Sequence, residues 1–192
     1  FTPAHSRCGV VCVDDEWGLR LAQESEVPVT TVSVFSHREA DWTVRRINFD
    51  RAIPAVTFDL VTPQGDERLI RMPMLGEVNV QNAVVALVAA LQLGCEFEAA
   101  VSALEGAEQI PGRMTSVNPD PGAQPLVIVD FAHTPEGLDW TLKSVRELTR
   151  GKLVLVFGTD GDRDATKREP LAEIAAQLAD VLWVTDENPR TE

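Results

Sequence analysis

Leu153-Val154-Leu155-Val156-Phe157-Gly158-Thr159-Asp160-Gly161-Asp162-Arg163-Asp164 passes without pause from an apolar run into glycines and charges. Five consecutive apolar residues closed by a glycine read as a strand buried in a parallel sheet. The polar stretch behind it is then a loop at the strand's C-terminal end. The same succession stands on either side. Residues 126–129 lead into Asp130-Phe131-Ala132-His133-Thr134-Pro135, and residues 181–184 into Thr185-Asp186-Glu187-Asn188-Pro189-Arg190. Between the motifs, Leu138, Leu142, Val145 and Leu148, then Leu171, Ile174, Ala175 and Leu178, recur at helical spacing. Pro135 suits a first helical position, where its missing N–H has no partner to lose. Right-handed crossovers lay the three strands in one parallel sheet and gather the three motifs along one edge. Open α/β sheets bind ligands at that edge.

Upstream, residues 9–13 read as a buried strand ending in Asp14-Asp15. A short helix with Trp17, Leu19, Leu21 and Ala22 follows, then a strand over residues 29–35, which is a parallel α/β unit. From residue 41 to 74 the pattern changes. Trp42-Thr43-Val44, residues 55–61 and residues 68–74 alternate or are β-branched, with turn residues Thr62-Pro63-Gln64-Gly65-Asp66 between the last two, a hairpin signal. Residues 78–93 form a helix stopped by Gly94, and residues 97–104 a shorter one. Ile110-Pro111-Gly112-Arg113 breaks the periodicity, and Asn118-Pro119-Asp120-Pro121-Gly122 is a turn. The domain boundary is expected here, dividing residues 1–112 from 113–192. Phe1-Thr2-Pro3 reads as the middle of a chain, and Glu192 follows a motif directly, so a piece of a longer protein is expected.

The 192 residues carry a formal net charge of −13, with 44% hydrophobic and 24% charged residues. This acidity argues against general nucleic-acid binding, which needs Lys and Arg for the phosphates. Arg163, Lys167 and Arg168 nevertheless form a local basic cluster fit for a small anion. Cys8, Cys12 and Cys95 have no zinc-ligand spacing and read as reduced core thiols, consistent with a cytoplasmic protein. Trp17, Trp140 and Trp183 read as core. With no leader and no apolar stretch of ~18 residues, a soluble chain without membrane partners is expected.

Each motif admits two readings. Asp130, at a strand end before His133 and Thr134, can accept hydrogen bonds from a ribose diol, or it can cap the turn. In the second motif, Asp160, Asp162 and Asp164 have the spacing of a calcium loop, but Ala165 and Leu171 replace its glycine and closing glutamate. The acidic groups then either orient Arg163 to grip a carboxylate or belong to a solvated loop. Glu187, Asn188, Pro189 and Arg190 supply an acceptor, an amide, a stiff backbone and a guanidinium. That set suits an α-amino acid zwitterion, or equally a capped helix start. Asn79 and Asn82 lie three apart on one face of a helix start, and capping explains one of them. Arg113 can reach a phosphate, stack on a base or bridge domains. No Gly-x-x-x-x-Gly-Lys-Ser/Thr loop, Gly-x-Gly-x-x-Gly or nucleophile-elbow serine occurs. With His5, His37 and His133 alone, no histidine triad or zinc site is credible.

In order, Val13-Asp14-Asp15-Glu16-Trp17-Gly18, Gly76-Glu77-Val78-Asn79-Val80-Gln81-Asn82, Pro111-Gly112-Arg113-Met114, Asp130 through Pro135, Gly161 through Arg168 and Thr185 through Glu192 resemble the Mur ligases of peptidoglycan synthesis. The likeness runs over nearly the whole chain and favours the members that add the third stem-peptide residue. It implies the rear of a central ATP-binding α/β domain followed by a truncated Rossmann-like, doubly wound parallel-sheet domain. It also implies an ATP-dependent amide ligase working through an acyl phosphate, with positioning and charge neutralisation by magnesium and cationic groups. Asn79, Asn82, Arg113, Asp130 and His133 would lie around ATP. Arg163, Glu187, Asn188, Pro189 and Arg190 would hold the incoming diamino acid, and the other substrate would be a UDP-N-acetylmuramoyl dipeptide. Arg190 favours meso-diaminopimelate over L-lysine; Glu187 stands where aspartate is typical, and Thr159-Asp160 and Ala165-Thr166 where small residues or glycine are. The phosphate loop, magnesium ligands, carbamylated lysine and sugar-nucleotide domain are expected before Phe1, so no catalytic or metal residue is expected in this chain. Alone it is expected to be inactive, and the whole protein a cytoplasmic monomer. The rivals are another ligase of the superfamily, such as a folylpolyglutamate-type or L-lysine-adding one, and a non-catalytic sensor of nucleotides or amino acids.

Overall fold

A five-stranded mixed sheet organises the first of two units in the computed structural model, which describes residues 1–36, 38–50, 55–118 and 125–192. This unit comprises Phe1–Ile110 and Ser116–Val127. Its strands lie in sequence order: β1 (Gly9–Cys12), β2 (Val29–Ser33), β3 (Trp42–Asp50), β4 (Ala55–Val61) and β5 (Glu67–Met72). β1 and β2 are parallel, joined by helix α1 (Glu16–Glu24), which Asp15 caps by accepting from Gly18 N–H at 2.7 Å. β3 runs parallel to β2 through Val32 and Trp42, and β3, β4 and β5 are antiparallel.

Alternation along β4 and β5 puts Phe58, Leu60, Ile70 and Met72 under helix α2 (Glu77–Gln92), whose Val80, Val84, Leu87 and Val88 complete the core. Helix α3 (Phe97–Glu105) adds Val101 and lays Phe97 against Trp42, ring centroids 6.1 Å apart. Gly94 ends α2 as anticipated, with φ +91°, a conformation that costs glycine little. β3 is longer than the apolar triplet Trp42-Thr43-Val44 announces. A register shift between Arg45 and Asn48, with Arg46 at φ +51°, breaks the alternation. Arg46 there reaches Asp59 on the adjacent β4 and Glu67 on β5, one strand further.

The half-buried Asp14, just past β1, ties the parallel part together. Its carboxylate accepts from the amides of Val34, Phe35 and Ser36 at 2.9–3.1 Å and from the hydroxyls of Ser33 and Ser36 at 2.8 and 2.9 Å. Gln81 of α2 donates to it at 3.2 Å and to Cys12 Sγ at 3.0 Å. Burial alone would raise this carboxyl's pKa; the Ser36 and Val34 amides and the neighbouring donors outweigh that and hold it well below the ordinary range. Burial and the adjacent Asp14 push the Cys12 thiol up to about 11, which makes it a poor nucleophile.

The second unit comprises Pro111–Thr115 and Ile128–Glu192. A separate two-stranded sheet consists of β6 (Thr115–Ser116) and β7 (Ile128–Val129). Helix α4 (Pro135–Leu148) begins with Pro135 behind the Thr134 cap, then come β8 (Val154–Phe157), a 3-10 turn (Ala165–Lys167), helix α5 (Arg168–Leu178) and β9 (Val181–Val184). β8 and β9 are parallel, Val154 opposite Val181. Leu138 and Leu142 of α4 meet Leu171 and Ala175 of α5 and Leu153 before β8 in a separate small core.

Several expectations need correction. Among the described residues β7 pairs with β6 rather than joining β8 and β9, so the three motif-bearing strands do not form one ladder. Trp17, Trp140 and Trp183 are 67%, 40% and 65% exposed and are not core. Trp183 stands with Val154 and Val156 on one face of β8 and β9, and all three are exposed. Cys8 and Cys95 are exposed and Cys12 is half-buried; all three are free thiols, but not core ones. His37 and the turn beyond Asn118 lie outside the described residues. No helix among those described is long and apolar enough to cross a membrane.

Candidate functional site

The loops after β8 and β9 interlock. Gly161 N–H donates to the Asn188 carbonyl at 2.8 Å, and Thr185 N–H to the Phe157 carbonyl at 3.0 Å. Contact is so close that only glycine serves: a Cβ on Gly161 would overlap the Pro189 carbonyl oxygen and lie 2.7 Å from its carbon, and one on Gly158 would lie 2.9 Å from Glu187 N. Further bonds close the seam. Asp162 accepts from Thr191 N–H at 3.1 Å and Thr191 Oγ1 at 2.7 Å, while its own N–H donates to Glu192 at 3.2 Å. Arg168 reaches Glu192 at 2.5 Å and the Asp160 carbonyl at 3.4 Å. Asp162 and Arg190 sit at φ +53°, left-handed backbone that the paired loops impose on non-glycine residues.

This seam brings two of the anticipated arginines together. Arg190 Nη2 lies 3.4 Å and Arg163 Nε 3.9 Å from the same Asp160 Oδ2. The acidic residues expected to orient Arg163 thus divide their work: Asp160 faces Arg163, Asp162 holds Thr191, and Asp164 caps the 3-10 turn through Thr166 N–H at 2.9 Å. The Thr191 hydroxyl and amide lower the Asp162 pKa; the Thr166 hydroxyl and amide do so for Asp164, and the Arg168 contact for Glu192. Glu187, Asn188 and Pro189 are exposed beside Arg190.

The first motif joins the second through Lys167, whose Nζ donates to the His133 carbonyl at 3.1 Å. Asp130 is half-buried and accepts from Met114 N–H at 2.8 Å, Ala132 N–H at 3.0 Å and Thr141 Oγ1 at 2.9 Å. A carboxylate has about four acceptor positions, and these three bonds use three of them. Arg113 lies over the Phe131 ring, 5.2 Å from its centroid, and His133 is tilted against the same ring at 5.0 Å.

Asn79 and Asn82 belong to the first unit. Asn79 is buried and donates to the Leu75 carbonyl at 2.6 Å, closing the turn into α2, while Asn82 is exposed. They do not share one environment, and the N-cap itself is Gly76. Sequence reasoning passed over Gln81's bond to Asp14, Lys167's bond to the His133 carbonyl and Asp160's contact with Arg190. The signal for Asp160 was its place one residue before the glycine that docks the other loop.

Two paired loops at the C-terminal ends of parallel strands, with two guanidinium groups around one carboxylate, define an α/β domain whose loop edge carries both signs of charge. The sequence matches the Mur ligase middle domain over residues 1–90 and the Mur ligase, glutamate ligase domain over residues 112–192. A UDP-N-acetylmuramyl-tripeptide synthetase of Leifsonia xyli subsp. xyli is 41% identical over all of this chain and 37% of its own length. A UDP-N-acetylmuramoyl-L-alanyl-D-glutamate–2,6-diaminopimelate ligase of Streptomyces coelicolor is 39% identical with the same coverage. A solved structure of a ligase of that second name superposes with a TM-score of 0.62 at 33% identity, covering 97% of this chain and 38% of the other. The chain belongs to the Mur ligase family, and it spans a little over a third of the length of these relatives.

Proposed function

We propose that the protein carrying these residues is an ATP-dependent ligase that attaches meso-diaminopimelate to UDP-N-acetylmuramoyl-L-Ala-D-Glu, the third-residue step of peptidoglycan synthesis. The observation that carries this reading is the pair Arg163 and Arg190, held side by side by the interlocked loops. Two guanidinium groups at one point suit a carboxylate on the incoming amino acid, with Glu187 and Asn188 available to its ammonium group. The names of the similar ligases support the same substrate.

In this reading residues 1–112 belong to the central nucleotide-binding domain and residues 113–192 to the terminal domain. Asn79, Asn82, Arg113, Asp130 and His133 serve the nucleotide. The chemistry on the second unit fits that role: Arg113 and Phe131 offer flat surfaces to a base, and Asp130 keeps an acceptor for a ribose hydroxyl. ATP, when bound, supplies the phosphoryl group that activates the dipeptide carboxylate. Magnesium is a different matter. Among the described residues no group of three or more His, Cys, Asp or Glu can hold a metal ion, so no step is assigned to one on this chain.

The full-length ligase should release phosphate when given ATP, magnesium, the UDP-N-acetylmuramoyl dipeptide and meso-diaminopimelate, and far less with L-lysine. Equal turnover with both amino acids, or none with either, would defeat the proposal. The 192-residue chain alone should release no phosphate above background.

A further inference from the structure

We propose that Asp160 is a specificity-determining residue, a built-in counter-ion occupying the place of a ligand carboxylate between Arg163 and Arg190. The inference rests on the amino-acid-binding role proposed above and deepens it. One oxygen, Asp160 Oδ2, faces both cations, at 3.4 Å from Arg190 Nη2 and 3.9 Å from Arg163 Nε. Neither distance is that of a tight charge-assisted bond, which is 2.7–2.9 Å. The carboxylate therefore neutralises the pair without saturating its donors. Three other acids of the two loops are engaged elsewhere: Asp162 with Thr191, Asp164 with Thr166, and Glu192 with Arg168.

An incoming carboxylate must share the arginines with Asp160 or push it aside, so ligand binding carries a like-charge penalty. An amino acid whose side chain ends in an ammonium group alone meets the opposite field, because Asp160 attracts it. Asp160 thus narrows the preference between a distal carboxylate and a distal ammonium, and the arginines widen it. Arg190 and Arg163 retain 35% and 59% of their side-chain exposure, so solvent screens the effect to a moderate size.

The test is steady-state kinetics of the full-length ligase and its Asp160→Asn and Asp160→Ala variants with meso-diaminopimelate and with L-lysine. Removing the charge is expected to lower KM for meso-diaminopimelate about threefold, leave KM for ATP unchanged, and not lower KM for L-lysine. A KM for meso-diaminopimelate that stays the same or rises in both variants would overturn the inference, since a merely structural Asp160 would impair every substrate. A wild-type enzyme that makes no product with meso-diaminopimelate would overturn the function proposed above, and this inference with it.

Discussion

Alanine at Gly161 is expected to cut kcat/KM for the incoming amino acid about hundredfold in the full-length ligase. The added Cβ would overlap the Pro189 carbonyl, which is backbone and cannot rotate away. The loops after β8 and β9 would have to part, breaking the bond from Gly161 N–H to the Asn188 carbonyl and moving Arg190 off its station beside Arg163. A displacement of about 1 Å in positioning groups costs on the order of a hundredfold. The strain should also lower stability by about 1–3 kcal/mol. KM for ATP should not change, because in the proposed reading the seam serves the amino acid and not the nucleotide. Kinetics with each substrate varied in turn checks this, and a uniform loss in every parameter would point to general unfolding instead.

Asp14→Ala is expected to destabilise the first unit by about 3 kcal/mol. The carboxylate serves three consecutive amides, two serine hydroxyls and Gln81, and alanine leaves partly buried donors without a partner. The pH dependence has a definite sign. Because the folded-state pKa lies below that of the unfolded chain, the contribution is complete above about pH 4, the ordinary aspartate value. It is lost as pH falls from there toward the depressed folded value. Urea unfolding of the chain and the variant from pH 7 down to pH 2 should show two curves that converge in acid. Hydrogen exchange at residues 34–36 should lose protection in the variant even at neutral pH. Parallel curves with unchanged exchange would remove Asp14 from its structural role.

Much of the fold could be read in advance where one physical signal was strong. β4 and β9 fall on the residues that their unbroken apolar or alternating runs indicated, and α4 starts at Pro135. β3 was cut short because the bulge at Arg46 turns charged residues into the middle of a strand, where alternation is the only guide. The tryptophans misled for a related reason. An apolar neighbourhood in sequence does not say which face a strand or helix turns inward, and Trp183 of β9 is exposed. Asp14 read only as the end of a strand because its partners are amides some twenty positions away, and an amide leaves no mark on the side-chain sequence.

The candidate site divides along the same line. Arg163 and Arg190 were recognisable by residue type and spacing, and their meeting follows from the parallel pairing of β8 with β9. Asp160's place between them depends on side-chain reach across thirty residues, which periodicity does not encode. Of the two readings of Asp130 the structure shows the local one, since three of its bonds secure the neighbouring chain.

The central claim is that these loops form one amino-acid site gripping a carboxylate through paired arginines. Its most direct test is the KM for meso-diaminopimelate of the full-length ligase carrying Arg190→Ala. Loss of a charge-assisted pair predicts a rise of about thirtyfold, with KM for ATP unaltered. A KM for meso-diaminopimelate equal to that of the wild type would contradict the account.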